Sequence, residues 1–177
     1  MGECVLTRRS VVKNEYELLA DITVSSATTN VDITGLNLVK GEEYVLVCDV
    51  YNPTATGTPL SILINGNNTV TNYYTQYISA NGTSVTSGRE NNANLQYHDQ
   101  SRRLCAIANL KITNNGYFVW QSNANRAYDL GSSSFYVPIY GTSTFTVTSI
   151  TSIRLLVGVT NAIGVGSRFQ LYKTGGI

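Results

Sequence analysis

Apolar residues recur at every second position over most of this chain, which is the period of a strand with one buried face. The clearest case is Leu104 to Ile112: Leu104, Ala106, Ala108, Leu110 and Ile112 share one face, and Asn109 and Lys111 the other. Near the C-terminus, Ile153, Leu155 and Val157 alternate with Ser152 and Arg154, and Phe169 and Leu171 with Arg168, Gln170 and Tyr172. These last two runs predict a terminal pair of strands, with the Leu155 face in the core. Glu43 to Tyr51, EYVLVCDVY, is apolar at nearly every position. A run of that kind predicts a central strand covered on both faces.

Turn residues divide the remainder. Shorter strands are predicted over Glu15 to Val24 and Val31 to Leu38, with a turn at Lys40-Gly41-Glu42. Leu60, Ile62 and Ile64 run into Asn65-Gly66, a strong two-residue hairpin signal, so a return strand is expected from Thr69 to Ser79, carrying Tyr73, Tyr74 and Tyr77. Asn81-Gly82 marks the next turn. Ser84 to Arg103 is the longest polar stretch and reads as an excursion loop, with a short strand around Leu95-Gln96-Tyr97. Asn114-Asn115-Gly116 then turns the Leu104 strand into Tyr117 to Gln121, with Phe118 and Trp120 on one face. Strands over Phe135 to Tyr140 and Thr142 to Val147 follow, and Asn161, Gly164 and Gly166 give the last loop room for positive φ.

About nine to eleven strands, with turn signals every eight to twelve residues, predict an all-β protein. A single β-sandwich of jelly-roll type suits the long loops and manages the exposed strand edges. Residues 15–177 form this domain. Residues 1–14 show no clear period and are expected to be an N-terminal arm, ordered only where another surface receives it.

Composition sharpens this picture at three points. Charged residues make up only 13% of the 177, about half the usual share, so Asn, Ser, Thr and 12 Tyr must cover the surface. The formal net charge of +1 supplies no basic footprint for nucleic acid. No apolar run is long enough to span a bilayer, and the opening MGECVLTRRSVVKNE lacks the shape of a secretory signal. The chain is thus expected in a cytoplasm until assembly or lysis. The three cysteines, Cys4, Cys48 and Cys105, are widely spaced, which argues against a zinc site or disulfide framework. Cys48 and Cys105 are expected to be small buried side chains, and Cys4 is a candidate for a crosslink between subunits.

Candidate chemistry is sparse. The one histidine, His98, stands beside Asp99 in the polar stretch, where it is expected on the surface and not in a catalytic triad. A carboxylate pair built from Asp49 with Asp32 or Glu90 is the remaining hydrolytic possibility. No cofactor, metal or enzymatic activity is expected. Surface recognition remains, through the tyrosines Tyr73, Tyr74, Tyr77 and Tyr97, and through the arm's Val5, Leu6, Arg8, Arg9, Val11 and Val12. Tyrosine among Asn and Ser suits adaptable contacts with protein or sugar.

The C-terminal order Ser152-Ile153-x-Leu155, a Gly/Ala-containing turn, then Gly166-Ser167-Arg168-Phe169-x-Leu171-Tyr172 resembles a group of small virion proteins of tailed bacteriophages. The opening Tyr16-Glu17-Leu18-Leu19-Ala20, and Leu63-Ile64-Asn65-Gly66 followed by Asn72-Tyr73-Tyr74, fit the same group. The resemblance implies a sandwich protein of the phage particle without catalytic residues, assembled in the host cytoplasm and located in the virion. A capsid decoration or cement subunit is the first expectation, binding other virion proteins and its own copies, as a trimer by the habit of such ornaments. The alternative is a tail-associated receptor-binding or carbohydrate-binding module that takes a host glycan.

Overall fold

The computed structural model describes residues 16–81, 83–126 and 135–175. The arm, with its candidate residues Val5, Leu6, Arg8, Arg9, Val11 and Val12, and Cys4 lie outside these. So do Gly82 of the expected turn and part of the segment preceding Phe135.

The described residues contain thirteen strands and one 3-10 turn. The strands are β1 (Glu17–Thr23), β2 (Asn30–Val39), β3 (Glu43–Tyr51), β4 (Thr58–Ile64), β5 (Tyr73–Asn81), β6 (Ser84–Glu90), β7 (Asn94–His98), β8 (Arg103–Ile112), β9 (Tyr117–Arg126), β10 (Phe135–Tyr136), β11 (Ile139–Thr146), β12 (Ser149–Val157) and β13 (Arg168–Lys173). They form two antiparallel sheets. One has four strands in the order β2-β12-β4-β7; the other has nine and begins β1-β13-β3-β8. Those eight strands make a jelly roll, each sheet interleaving early and late strands. The rest are insertions into the roll: β5 and β6 between β4 and β7, and β9 to β11 between β8 and β12. Both insertions join the nine-stranded sheet beyond β8, where β9 pairs with β11, β11 with β5, and β5 with β6.

Alternation builds the core. Leu46, Phe169 and Leu171 of one sheet and Leu60, Ile62, Ile153 and Leu155 of the other are fully buried. The final strands β12 and β13 are not a hairpin but belong to opposite sheets. Their buried faces meet across the core because the loop between them crosses from one sheet to the other. That loop is pinned where Ser167 Oγ accepts from Tyr51 N at 2.9 Å and Gly166 N donates to Val24 O at 2.9 Å. Asn161 and Gly166 take positive φ of 58° and 78°, as their positions suggest.

Four local expectations are corrected. Asn65-Gly66 does turn, with φ of 53° and 71°, but it closes no hairpin. Asn65 instead clamps β12, donating to Ser149 O at 2.8 Å and accepting from Thr151 N at 2.8 Å. The chain then crosses through the 3-10 turn Val70–Asn72 into the other sheet. The polar stretch from Ser84 is not a loop: it supplies β6, an edge strand exposed at nearly every position, and then β7. β3 is central, between β13 and β8, but Val45, Val47 and Asp49 on its outer face are only half-buried. Finally, Cys48 is buried as expected whereas Cys105 is exposed, because the parity that buries Leu104 and Ala106 turns Cys105 outward.

Candidate functional site

The tyrosines singled out from sequence separate into three environments. Tyr73 is a core residue with 0% of its surface exposed, not a binding residue. Its hydroxyl accepts from Ile64 N at 3.1 Å, and its ring meets Trp120 and Phe145 edge-on, with centroids 6.1 and 5.5 Å apart. Burial pushes its phenol pKa upward, partly offset by the Ile64 bond. Tyr74, next on β5, points outward with the Arg89 guanidinium 4.8 Å above its ring. Tyr77 and Tyr97 come together with Thr75, Glu90 and Asn94 around a cavity of about 240 Å³ between β5 and β7.

His98 is also corrected. It closes β7 with none of its surface exposed, and its Nε2 lies 3.1 Å from Arg102 O. It braces a turn from inside. The three carboxylates considered as a hydrolytic pair do not converge. Asp32 faces outward on the four-stranded sheet and pairs bidentately with Arg154, at 2.6 and 2.9 Å. Asp49 faces outward on the other sheet, 2.8 Å from Arg103. Glu90 ends β6, within reach of Asn92 and Asn94. Among the described residues, no three His, Cys, Asp or Glu side chains gather as a metal site, and no helix is long and apolar enough to cross a membrane.

What register does bring together is a set of side chains that alternation alone does not connect. Directly opposed residues of an antiparallel pair point to the same face of the sheet. One such row crosses seven strands: Tyr172, Val45, Asn109, Gln121, Tyr140, Gln76 and Arg89. A second, one pleat away, reads Glu43, Lys111, Val119, Thr142 and Tyr74. Both lie on the outer face of the nine-stranded sheet. Between them is an open depression of about 590 Å³ over β3, β8, β9 and β11, and a neighbouring one of about 260 Å³ over β5, β6 and β11. Tyr140, 50% exposed, stands between the two, and its hydroxyl accepts from Gln121 Nε2 at 3.2 Å.

The floor of this face is rigid. Gly141 pairs with Trp120, and the indole lies across the bare glycine, leaving no room for a Cβ. Trp120 also stacks on Phe118 with centroids 5.3 Å apart, and donates from Nε1 to Asn94 O at 3.2 Å. Ser122 Oγ donates to Leu95 O, and Gln96 Nε2 donates to Val137 O at 2.7 Å. β7 is thus tied to the insertions by their Trp120 and Ser122 and by its own Gln96, which manages an otherwise exposed strand edge. Lys111 and Glu43 form an ion pair of 2.9 Å at one end of the depression.

The sequence places Asn109 and Lys111 on a solvent face but does not join them to Gln121, Tyr140, Gln76 or Arg89. The period-two pattern marks each as outward; the cross-strand register that aligns them is not written locally. Comparison with known proteins adds nothing: no family model and no curated protein matches the chain.

Proposed function

We propose that this chain is a non-enzymatic structural protein of a tailed-bacteriophage particle, and that it works by binding through the outer face of its nine-stranded sheet. The resemblance supports the class of protein. Its residues Gly166 to Tyr172 form the end of the last loop and most of β13, which lies between β1 and β3, and Arg168 pairs with Asp21 on the outer surface through two contacts of 2.5 and 2.8 Å. Most of the residues that carry the resemblance belong to the frame, and Tyr74 among them also lines the smaller depression.

The observation that carries the binding role is the aromatic–amide row, with Tyr140 standing between two depressions. A concave surface on which an exposed tyrosine stands among amides suits adaptable recognition. This favours a tail-associated receptor-binding module. A second reading, the capsid decoration subunit, is favoured by Leu18, Ile78, Val85 and Ile107. These are exposed on strands β1, β5, β6 and β8, and neighbouring subunits would cover them. Labelled antibody imaged on purified particles separates the two. A few copies at one vertex support the tail module, and hundreds over the shell support decoration. No label on any particle refutes both.

A further inference from the structure

We infer that the depression pair on the nine-stranded sheet is an oligosaccharide site, with Tyr140 as its stacking platform and Arg89 as the subsite for an acidic sugar. The inference rests on the receptor-binding reading above and assigns the residues that perform it.

The chemistry of the lining selects the ligand. Asn109, Gln121 and Gln76 present amides, each able to donate and accept, which matches the paired donor and acceptor character of vicinal hydroxyls. Tyr140 sits among them in the same row. Its ring offers an apolar face to the C–H side of a pyranose, while its hydroxyl is already engaged by Gln121 and so held in place. A protein partner would call for a desolvated apolar centre. Here the centre is amide and phenol, bordered by Val119, Thr142 and the Lys111–Glu43 pair. Strands stand about 4.8 Å apart, so the four steps from Asn109 on β8 to Arg89 on β6 span roughly 19 Å. That is enough for a short glycan chain laid across the strands.

Charge distinguishes the two ends. On this same sheet face Arg103, Lys111 and Arg168 are each held by a carboxylate, Asp49, Glu43 and Asp21 respectively. Among the described residues, Arg89 has no such partner. Its guanidinium is held over Tyr74, 4.8 Å from the ring centroid, beside the smaller depression lined by Tyr74, Gln76, Arg89, Tyr140 and Thr142. A guanidinium seated over a ring uses its face there, so its N–H groups remain available for bidentate contact with a carboxylate. A uronic acid or similar acidic sugar supplies that group.

The test is affinity electrophoresis of the full chain in native gels containing polygalacturonate, its methyl ester or dextran. The first two share a skeleton and differ in charge. We expect retardation strongest in polygalacturonate, weaker in the ester and weakest in dextran. Tyr140→Ala should weaken retardation about tenfold, and Tyr140→Phe should retain it. Arg89→Gln should erase the difference between polygalacturonate and its ester. Val165→Ala, in the exposed loop after β12, should change nothing. Retardation that survives Tyr140→Ala unchanged would overturn this site while leaving a glycan-binding module standing. Equal retardation by polygalacturonate and its ester in the unmodified chain would remove Arg89's role. Free migration in all three gels would overturn both the site and the glycan reading.

Discussion

Replacing Gly141 with alanine tests whether Trp120 fastens the inserted strands to the roll. A Cβ at Gly141 would stand 2.5 Å from Trp120 Cη2 and closer still to Cζ2 and Cε2, well inside the 3.0 Å that real Cβ contacts respect. The indole has little freedom to yield. Phe118 stacks on it, Tyr73 meets it edge-on, and its N–H is committed to Asn94 O. Overpacking of this kind costs about 1–3 kcal/mol, and a displaced ring that loses its hydrogen bond adds about 0.5–1.5 kcal/mol. Removing glycine's excess unfolded-state freedom returns about 0.5–1 kcal/mol. The net is a destabilisation of about 1–3 kcal/mol. In a domain of this size that lowers Tm by roughly 2–12 °C. Calorimetry should show the fall, and urea titration a lower midpoint at unchanged slope. The double variant with Trp120→Phe, whose smaller ring vacates the clash, should cost less than the sum of the two single changes. A Gly141→Ala protein that melts within about 1 °C of the parent, or strict additivity in the double variant, would refute the seating of Trp120 on this glycine.

Three further outcomes are expected. Leu155→Asp leaves an unpaired charge among fully buried residues and should yield insoluble protein, while Leu155→Ala should cost about 2–5 kcal/mol; a soluble Leu155→Asp chain with unchanged melting would mean that this face is not core. Exposed Cys105 should react with N-ethylmaleimide in the native protein, and Cys48, whose thiol pKa burial pushes far up, only after denaturation; peptide mapping showing native modification of Cys48 would contradict its burial. The acid and alkaline limits of stability follow from named groups. Asp21 is held below its usual range chiefly by the Arg168 bond, and Glu42 chiefly by Lys173 and then by Tyr44. Such carboxylates add stability above their unfolded pKa values, about 3.9 and 4.3, which is lost as pH falls through the lower folded values. Tm should therefore begin to fall below about pH 5, and Lys173→Met should make that fall shallower. Tyr44, pushed up to about 12 by burial and then by Glu42, contributes stability that is lost as pH rises from about 10 toward its folded value. Tyr44→Phe should abolish that part of the alkaline limb, and an unaltered limb would refute the assignment.

Strands with one buried face were legible because burial leaves a period. β8 shows it along its whole length and β12 from Ile153 onward, beyond the bulge after Ile150, and Leu155, Phe169 and Trp120 stand where parity puts them. β6 was not legible for the same reason in reverse. SVTSGRE pairs only with β5 and is exposed at nearly every position, so no apolar alternation exists to be seen. Cys105 and Tyr73 show a different failure. Cysteine is buried on average and tyrosine is common at interfaces, but parity decides both positions, with Leu104 turning Cys105 outward and the β5 alternation turning Tyr73 inward. At Asn65-Gly66 the turn chemistry was right and the partner wrong, because Asn65 holds β12, distant in sequence, in place of a returning strand.

The candidate site was hidden at a further level. The eight strands of the roll close two sheets among themselves, and the added strands extend their core with Tyr73 of β5 and with Phe118 and Trp120 of β9. These strands arrive as two insertions, one after β4 and one after β8, and each alone would leave ladder groups unpaired. Joined through β9–β11 and β11–β5 they satisfy one another and widen one sheet. Trp120, Ser122 and Gln96 then tie that extension to β7 from within. The interior of the insertions is thus spent on attachment, which leaves their outer face free to vary without cost to the fold. Gln121, Tyr140, Gln76 and Arg89 occupy that face, and Asn109 continues their row onto β8 of the roll. Substitutions among them should change what the protein binds far more than whether it folds, so a binding defect in Tyr140→Ala at unchanged Tm is the signature that separates a recognition surface from a structural one.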